Sequence, residues 1–159
     1  KDALSTQISE KILADSNSMA EIAIVNSENE ELQPQALFYL LGLNPPPSTI
    51  QSVQSLRFIS TSLSKPAIIM SVVDKDTVYG DMLKWEEAML GEFSELYGTE
   101  ITKVSEQGFT DSKSNNLDVR IIWNQQVPVL VYGLVDDRTL LITNNLNTFT
   151  EISQARLAD

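Results

Sequence analysis

Few residues of this chain could do chemistry, and they are mostly carboxylates. Its 159 residues include 22 Asp and Glu against 11 Lys and Arg, with neither cysteine nor histidine. Without histidine there is no imidazole base and the commonest transition-metal ligand is missing. Without cysteine there is no disulfide, zinc–thiolate site, iron–sulfur cluster or thiol nucleophile. A hydrolase would then need a Ser–Lys or N-terminal nucleophile, or a pair of carboxylates. No Gly-x-Ser-x-Gly elbow occurs, no Ser-x-x-Lys opens a helix, and no glycine-rich loop follows a strand to cradle phosphate.

Carboxylate pairs remain: Asp74 with Asp76, Glu86 with Glu87, and Asp136 with Asp137. Glycosidases need only two such groups at the right separation. The aspartates, however, fall where caps and turns are expected, and the glutamates flank the apolar stripe of a helix. Calcium at Asp74/Asp76 or Asp136/Asp137 would require further ligands at fixed positions, which are missing. No catalytic, cofactor-binding or metal-binding residue is therefore assigned, and no cofactor is expected. Trp85 and Trp123 suggest stacking on sugar rings. Trp85 lies on an apolar helical stripe, which places it in the core. Trp123 follows Ile121 and Ile122 on a strand whose buried face the sequence leaves open. Arg120, between Val119 and Ile121, should face solvent or pair with an acidic neighbour.

The formal net charge is −11, and the basic residues are scattered singly. Nucleic-acid binders concentrate basic charge, so neither nucleic acid nor an anionic membrane surface is an expected partner. No apolar run approaches the roughly 18 residues that a spanning helix needs. A protein partner fits better, and the chain itself is expected to be a monomer.

The elements follow from periodicity. Leu4, Ile8 and Ile12 predict a helix over Asp2 to Ala14, with Asp2 as its cap. Ala20 to Val25 reads as a strand, Asn26 to Glu31 as a loop, and Gln33 to Leu43 as a helix ended by Gly42 and Pro45-Pro46-Pro47. Ser48 should cap a helical turn running toward Gln54. Leu56–Ser62 and Pro66–Asp74 read as an antiparallel hairpin, with Pro66 and Pro128 marking edges or sheet ends. Asp76 should cap the longest helix, Thr77 to Tyr97. Its stripe is Val78, Met82, Trp85, Met89, Phe93 and Leu96, broadened by Leu83 and Leu90.

Thr99–Val104 could be a strand, and polar Ser105–Asn116 reads as a loop that, with the strand from Asp118, would form a contact surface. Deleting Ser112 to Asn115 should therefore cost little stability. Asp118–Asn124, Val127–Val135 and Thr139–Thr143 read as strands, with the turn Asp136-Asp137-Arg138. A last helix opens at Asn147 or Thr148, where Thr148 and Glu151 are spaced as a capping box. KPAIIMSVVDKD at 65–76 aligns weakly with VPVLVYGLVDDR at 127–138. The expected fold is one α+β domain over residues 1–159: a mainly antiparallel sheet with helices packed on one face, in two hairpin-then-helix units.

LFYLLGLNPPPSTIQSV, GDMLKWEEAM, LDVRIIWN and LLITNNLNTFTEI, taken in order, resemble an uncharacterised family of candidate phyla radiation (Patescibacteria) bacteria. The resemblance covers about Leu32 to Leu157. Its most specific pieces are Gly80-Asp81-Met82-Leu83-Lys84-Trp85-Glu86 and Asn147-Thr148-Phe149. The segment LSKPAIIMSV is less glycine-rich than the family's pattern, which bears on the geometry of the first hairpin. The resemblance implies an extracytoplasmic, cell-surface module, tethered to the membrane only through an anchor outside this chain, and it carries over no site residue. Two functions stay open: a non-enzymatic interaction or assembly domain, or a carboxylate-dependent hydrolase acting on glycans.

Overall fold

The structure is a computed structural model that describes residues 7–12, 19–61, 65–98 and 108–157. Among these residues, eight strands form one sheet: β1 (Gln7–Ile12), β2 (Ala20–Val25), β3 (Val53–Ser60), β4 (Ala67–Val72), β5 (Thr110–Ser114), β6 (Leu117–Asn124), β7 (Val127–Asp136) and β8 (Thr139–Thr143). Their order is β1-β2-β3-β4-β8-β7-β6-β5, with every neighbouring pair antiparallel. Helices α1 (Pro34–Leu41) and α2 (Pro47–Ser52) lie between β2 and β3, α3 (Lys75–Tyr97) follows β4, and α4 (Leu146–Leu157) follows β8. The fold is α+β, as expected.

Alternation along the strands sorts the core into two layers. Leu56, Ile68, Met70, Ile122, Leu130, Tyr132, Leu140 and Ile142 pack with α1 and α3. Ile59, Ala67, Ile69, Ile121, Val131 and Leu141 pack with Phe149 and Ile152 of α4. The expectation of helices on one face is thus corrected. Strand residues of both parities are apolar, so both faces need a cover. The hairpin-then-helix pattern does occur twice, as β3–β4–α3 and β7–β8–α4, but its two helices lie on opposite sides. The aligned segments at 65–76 and 127–138 are not equivalent either, since β4 closes its hairpin and β7 opens one.

Local chemistry sets the helix ends. Pro34 takes the first position of α1, and Gly42 closes it at φ 69°, a left-handed conformation natural to glycine. Asp74, not Asp76, caps α3: its carboxylate accepts the Thr77 amide at 3.1 Å and the Thr77 hydroxyl at 2.7 Å. Asp76 sits in the first turn, where negative charge meets the helix dipole favourably. Ser48 lies inside α2 rather than capping it, because Pro46 and Pro47 already fix the entry. For α4, the Thr148 amide donates to Asn145 Oδ1 at 3.0 Å, so Asn145 replaces the expected Thr148–Glu151 box.

Other expectations fail for identifiable reasons. Gln7–Ile12 is a strand paired with β2, not a helix. Residues four apart share a face in either element, and the choice fell to the β-branched isoleucines and a waiting partner strand. Asp2 and Leu4 lie outside the described residues, as do Ser62 and Thr99–Val104. Within the expected loop, Thr110–Ser114 is edge strand β5, and Asn115 and Asn116 at φ 51° and 67° form its turn to β6. Deleting Ser112–Asn115 would remove half of that hairpin, so the expectation of little cost is also corrected. Pro66 and Pro128 mark strand ends, on interior rather than edge strands.

The α3 stripe holds through Val78, Met82, Trp85, Met89 and Phe93, whereas Leu83 is exposed and Tyr97 buried. Trp85 is 2% exposed and meets Phe38 edge-on at 6.5 Å and Phe93 at 5.5 Å between ring centroids. Trp85→Ala is expected to cost about 3–5 kcal/mol in denaturant unfolding, as for other buried aromatics. Lys84→Ala and Glu87→Ala should stay within about 0.5 kcal/mol.

Beneath α4, Gly133 is the residue that lets the helix approach. A Cβ there would lie 2.8 Å from the Asp118 carbonyl oxygen and 3.2 Å from the Phe149 ring. Gly133→Ala should lower stability by about 1–3 kcal/mol through overpacking. An unchanged melt would show that α4 has room to move.

Candidate functional site

Within each of the three carboxylate pairs the two members take different roles. Asp74 caps α3, leaving Asp76 exposed. The hydrogen bonds from Thr77 hold the Asp74 carboxyl below the usual carboxylate range. In the β7–β8 turn, Asp136 accepts the Arg138 amide at 2.8 Å and the Thr139 hydroxyl at 3.1 Å. Its neighbour Asp137 accepts from Lys75 Nζ at 2.6 Å, which lowers the Asp137 carboxyl and raises the Lys75 ammonium. Together with the bond from the Val72 amide to the Arg138 carbonyl at 2.8 Å, this docks the turn on the junction of β4 and α3.

Glu86 and Glu87 part in the same way. Glu87 is exposed, whereas the Glu86 side chain is only 15% exposed. Arg120 donates to it through Nε and Nη2 at 2.7 and 2.8 Å, and Tyr132 donates its hydroxyl at 2.5 Å. The remaining Arg120 nitrogen, Nη1, reaches Asp111 at 2.9 Å. Of the two expectations for Arg120, solvent or an acidic neighbour, the second holds, with two partners. The fork of parallel bonds raises the guanidinium further and secures its charge. Burial first, and then Glu86, raises the Tyr132 phenol. The network bolts α3 to β5, β6 and β7.

Two further polar clusters carry no sequence motif, because their members are remote in the chain. Asp81, 4% exposed, accepts hydroxyl hydrogen bonds from Ser48 and from Thr49, the latter at 2.9 Å. This ties α2 to α3. On the α4 side of the sheet, Arg57 bridges Glu31 at 2.8 and 2.9 Å and Glu21 at 3.2 Å, and Arg156 of α4 reaches Glu21 at 3.2 Å. Hydrogen bonding from Arg57 lowers the Glu31 carboxyl. Only the polar residue types were visible beforehand; their pairing depended on the strand order.

The tryptophans also separate. The indole of buried Trp85 donates at 2.7 Å to half-buried Glu92, and that carboxylate also accepts the Asn44 amide at 2.8 Å. Trp123 is half-buried near the sheet end and donates to Thr110 Oγ1 at 3.1 Å. Among the described residues, no cluster of three or more carboxylates forms a metal site. The chemistry supported by these arrangements is the anchoring of helices to sheet. No protein-family model, curated protein or solved structure matches the chain.

Removing one partner of the Arg120–Glu86 pair leaves the other charge half-buried and uncompensated. Arg120→Met should therefore cost about 3 kcal/mol, near the lower end of values for broken buried pairs because both groups keep some solvent contact. Adding Glu86→Leu should recover part of that loss, and a double-mutant cycle by denaturant unfolding would measure the coupling. No recovery would mean that the pair's value lies in fixing orientation.

Glu31 supplies a test in pH. Its folded-state carboxyl lies below the ordinary value of 4.5, so its contribution is full above that pH and is lost as the pH falls below it. Glu31→Gln should lower stability near neutrality and flatten the acid limb of a stability–pH profile. Parallel acid limbs in the two proteins would contradict this assignment.

Proposed function

We propose that the chain is a non-enzymatic interaction or assembly domain, displayed outside the cytoplasm by a membrane-tethered protein. The observation that supports the first part is the division of the carboxylate pairs. One member of each holds a cap, a turn or an interlayer ion pair, and the other is exposed. A general acid and its partner base need to converge on one substrate bond, and within each pair the two carboxylates have different surroundings and different hydrogen-bond partners. Extracytoplasmic display and tethering rest on the resemblance to the Patescibacteria family. The net charge of −11 favours partners without strong negative charge.

The full-length tethered protein, used as bait on intact membranes with chemical crosslinking, tests this reading. A saturable partner, retained when Asp76→Asn and Glu87→Gln are introduced together, is the expected outcome. Release of reducing sugar from wall or host glycans, abolished by those same two substitutions, would instead establish the carboxylate-dependent hydrolase.

A further inference from the structure

The turn from β6 to β7, at one end of the sheet, lies in an uncharged run of an acidic chain. Ile121 to Leu134 contains no charged residue. Trp123 faces Pro128 across the ladder and Asn124 faces Val127, after a register shift between Ile122 and Trp123. Such bulges re-aim side chains and recur beside binding sites. The two-residue turn places Gln125 at φ 57°, a left-handed conformation that costs a non-glycine residue about 1–3 kcal/mol. Gln125, Gln126 and Val127 are exposed, and Trp123 is half-buried with its indole nitrogen held by Thr110. The pairing of Val131 with Thr143 brings Asn144 out of β8 at this same end. Asn144 Oδ1 is buried there without a hydrogen-bond partner.

We infer that this end of the sheet binds a neutral oligosaccharide, with the Trp123 ring as a stacking platform and the amides of Asn124, Gln125 and Gln126 contacting hydroxyl groups. A carboxamide offers a donor and an acceptor side by side, as a sugar hydroxyl does. An aromatic ring matches the apolar face of a pyranose. The uncharged run Ile121 to Leu134, within a protein of net charge −11, disfavours anionic and strongly cationic ligands alike. The inference names a ligand for the binding reading above and rests on it. Its failure is separable, because a partner captured by the full-length protein without sugar binding would leave that reading standing.

Intrinsic fluorescence gives a direct test, since Trp85 is shielded in the core and Trp123 is the accessible reporter. The whole chain would be titrated with cellohexaose, maltohexaose and the hexamer of N-acetylglucosamine, with polygalacturonate as the anionic control. At least one neutral probe should produce a saturable change in emission, and polygalacturonate none. Trp123→Ala should weaken binding by at least about tenfold, measured by calorimetry, and Trp123→Phe by clearly less. If Trp123→Ala fails to fold, Gln125→Ala with Gln126→Ala tests the same site from exposed positions and should weaken binding severalfold. No saturable response to any neutral probe, or undiminished binding in the glutamine variant, would overturn the inference.

Discussion

The antiparallel pair β4–β8 is the constraint on which the rest of the structure depends. It joins the two four-stranded halves of the sheet, and Ala67 to Met70 and Leu140 to Thr143 are buried on both sides. A strand pair with no solvent-facing residues must be covered twice. That requirement places α3 over one face and α4 over the other. The Tyr97 hydroxyl, donating to the Pro66 carbonyl at 2.9 Å, fastens the far end of α3 to the entrance of β4. Gly133 has its place for the same reason, since α4 can cover its face only if β7 offers a flat spot beneath Phe149.

Hydrophobic burial is non-directional, so it leaves open how each helix lies on its face. The polar networks supply direction. Arg120 with Glu86 and Tyr132 fixes α3 against β6 and β7, Asp81 with Ser48 and Thr49 sets α2 against α3, and Glu21 with Arg156 holds the end of α4. Each satisfies charges or hydroxyls that would be costly to leave unpaired. Among the described residues, these networks commit Glu86, Asp81 and Glu21 to the scaffold. The proposed binding surface lies outside these fasteners, at the uncharged β6–β7 turn.

The sequence by itself determined much of the framework. Six of the eight strands described and the course of α1, α3 and α4 could be read from apolar periodicity and from proline and glycine punctuation, because these signals act within a few residues. The buried side of α3, Trp85 included, followed from its stripe. Tertiary structure decided what depends on neighbours remote in the chain. Ile8 and Ile12, four apart, would share a face in a helix or a strand, and pairing with β2 accompanies the strand. Polar Thr110–Ser114 lacks an apolar signature because an edge strand is held mainly by backbone hydrogen bonds to β6. The two-sided placement of the helices, the partners of Arg120 and Asp81, and the company kept by Trp123 all follow from strand order. Strand order is a long-range property, settled when β4 meets β8 about 70 residues away, and no local pattern records it.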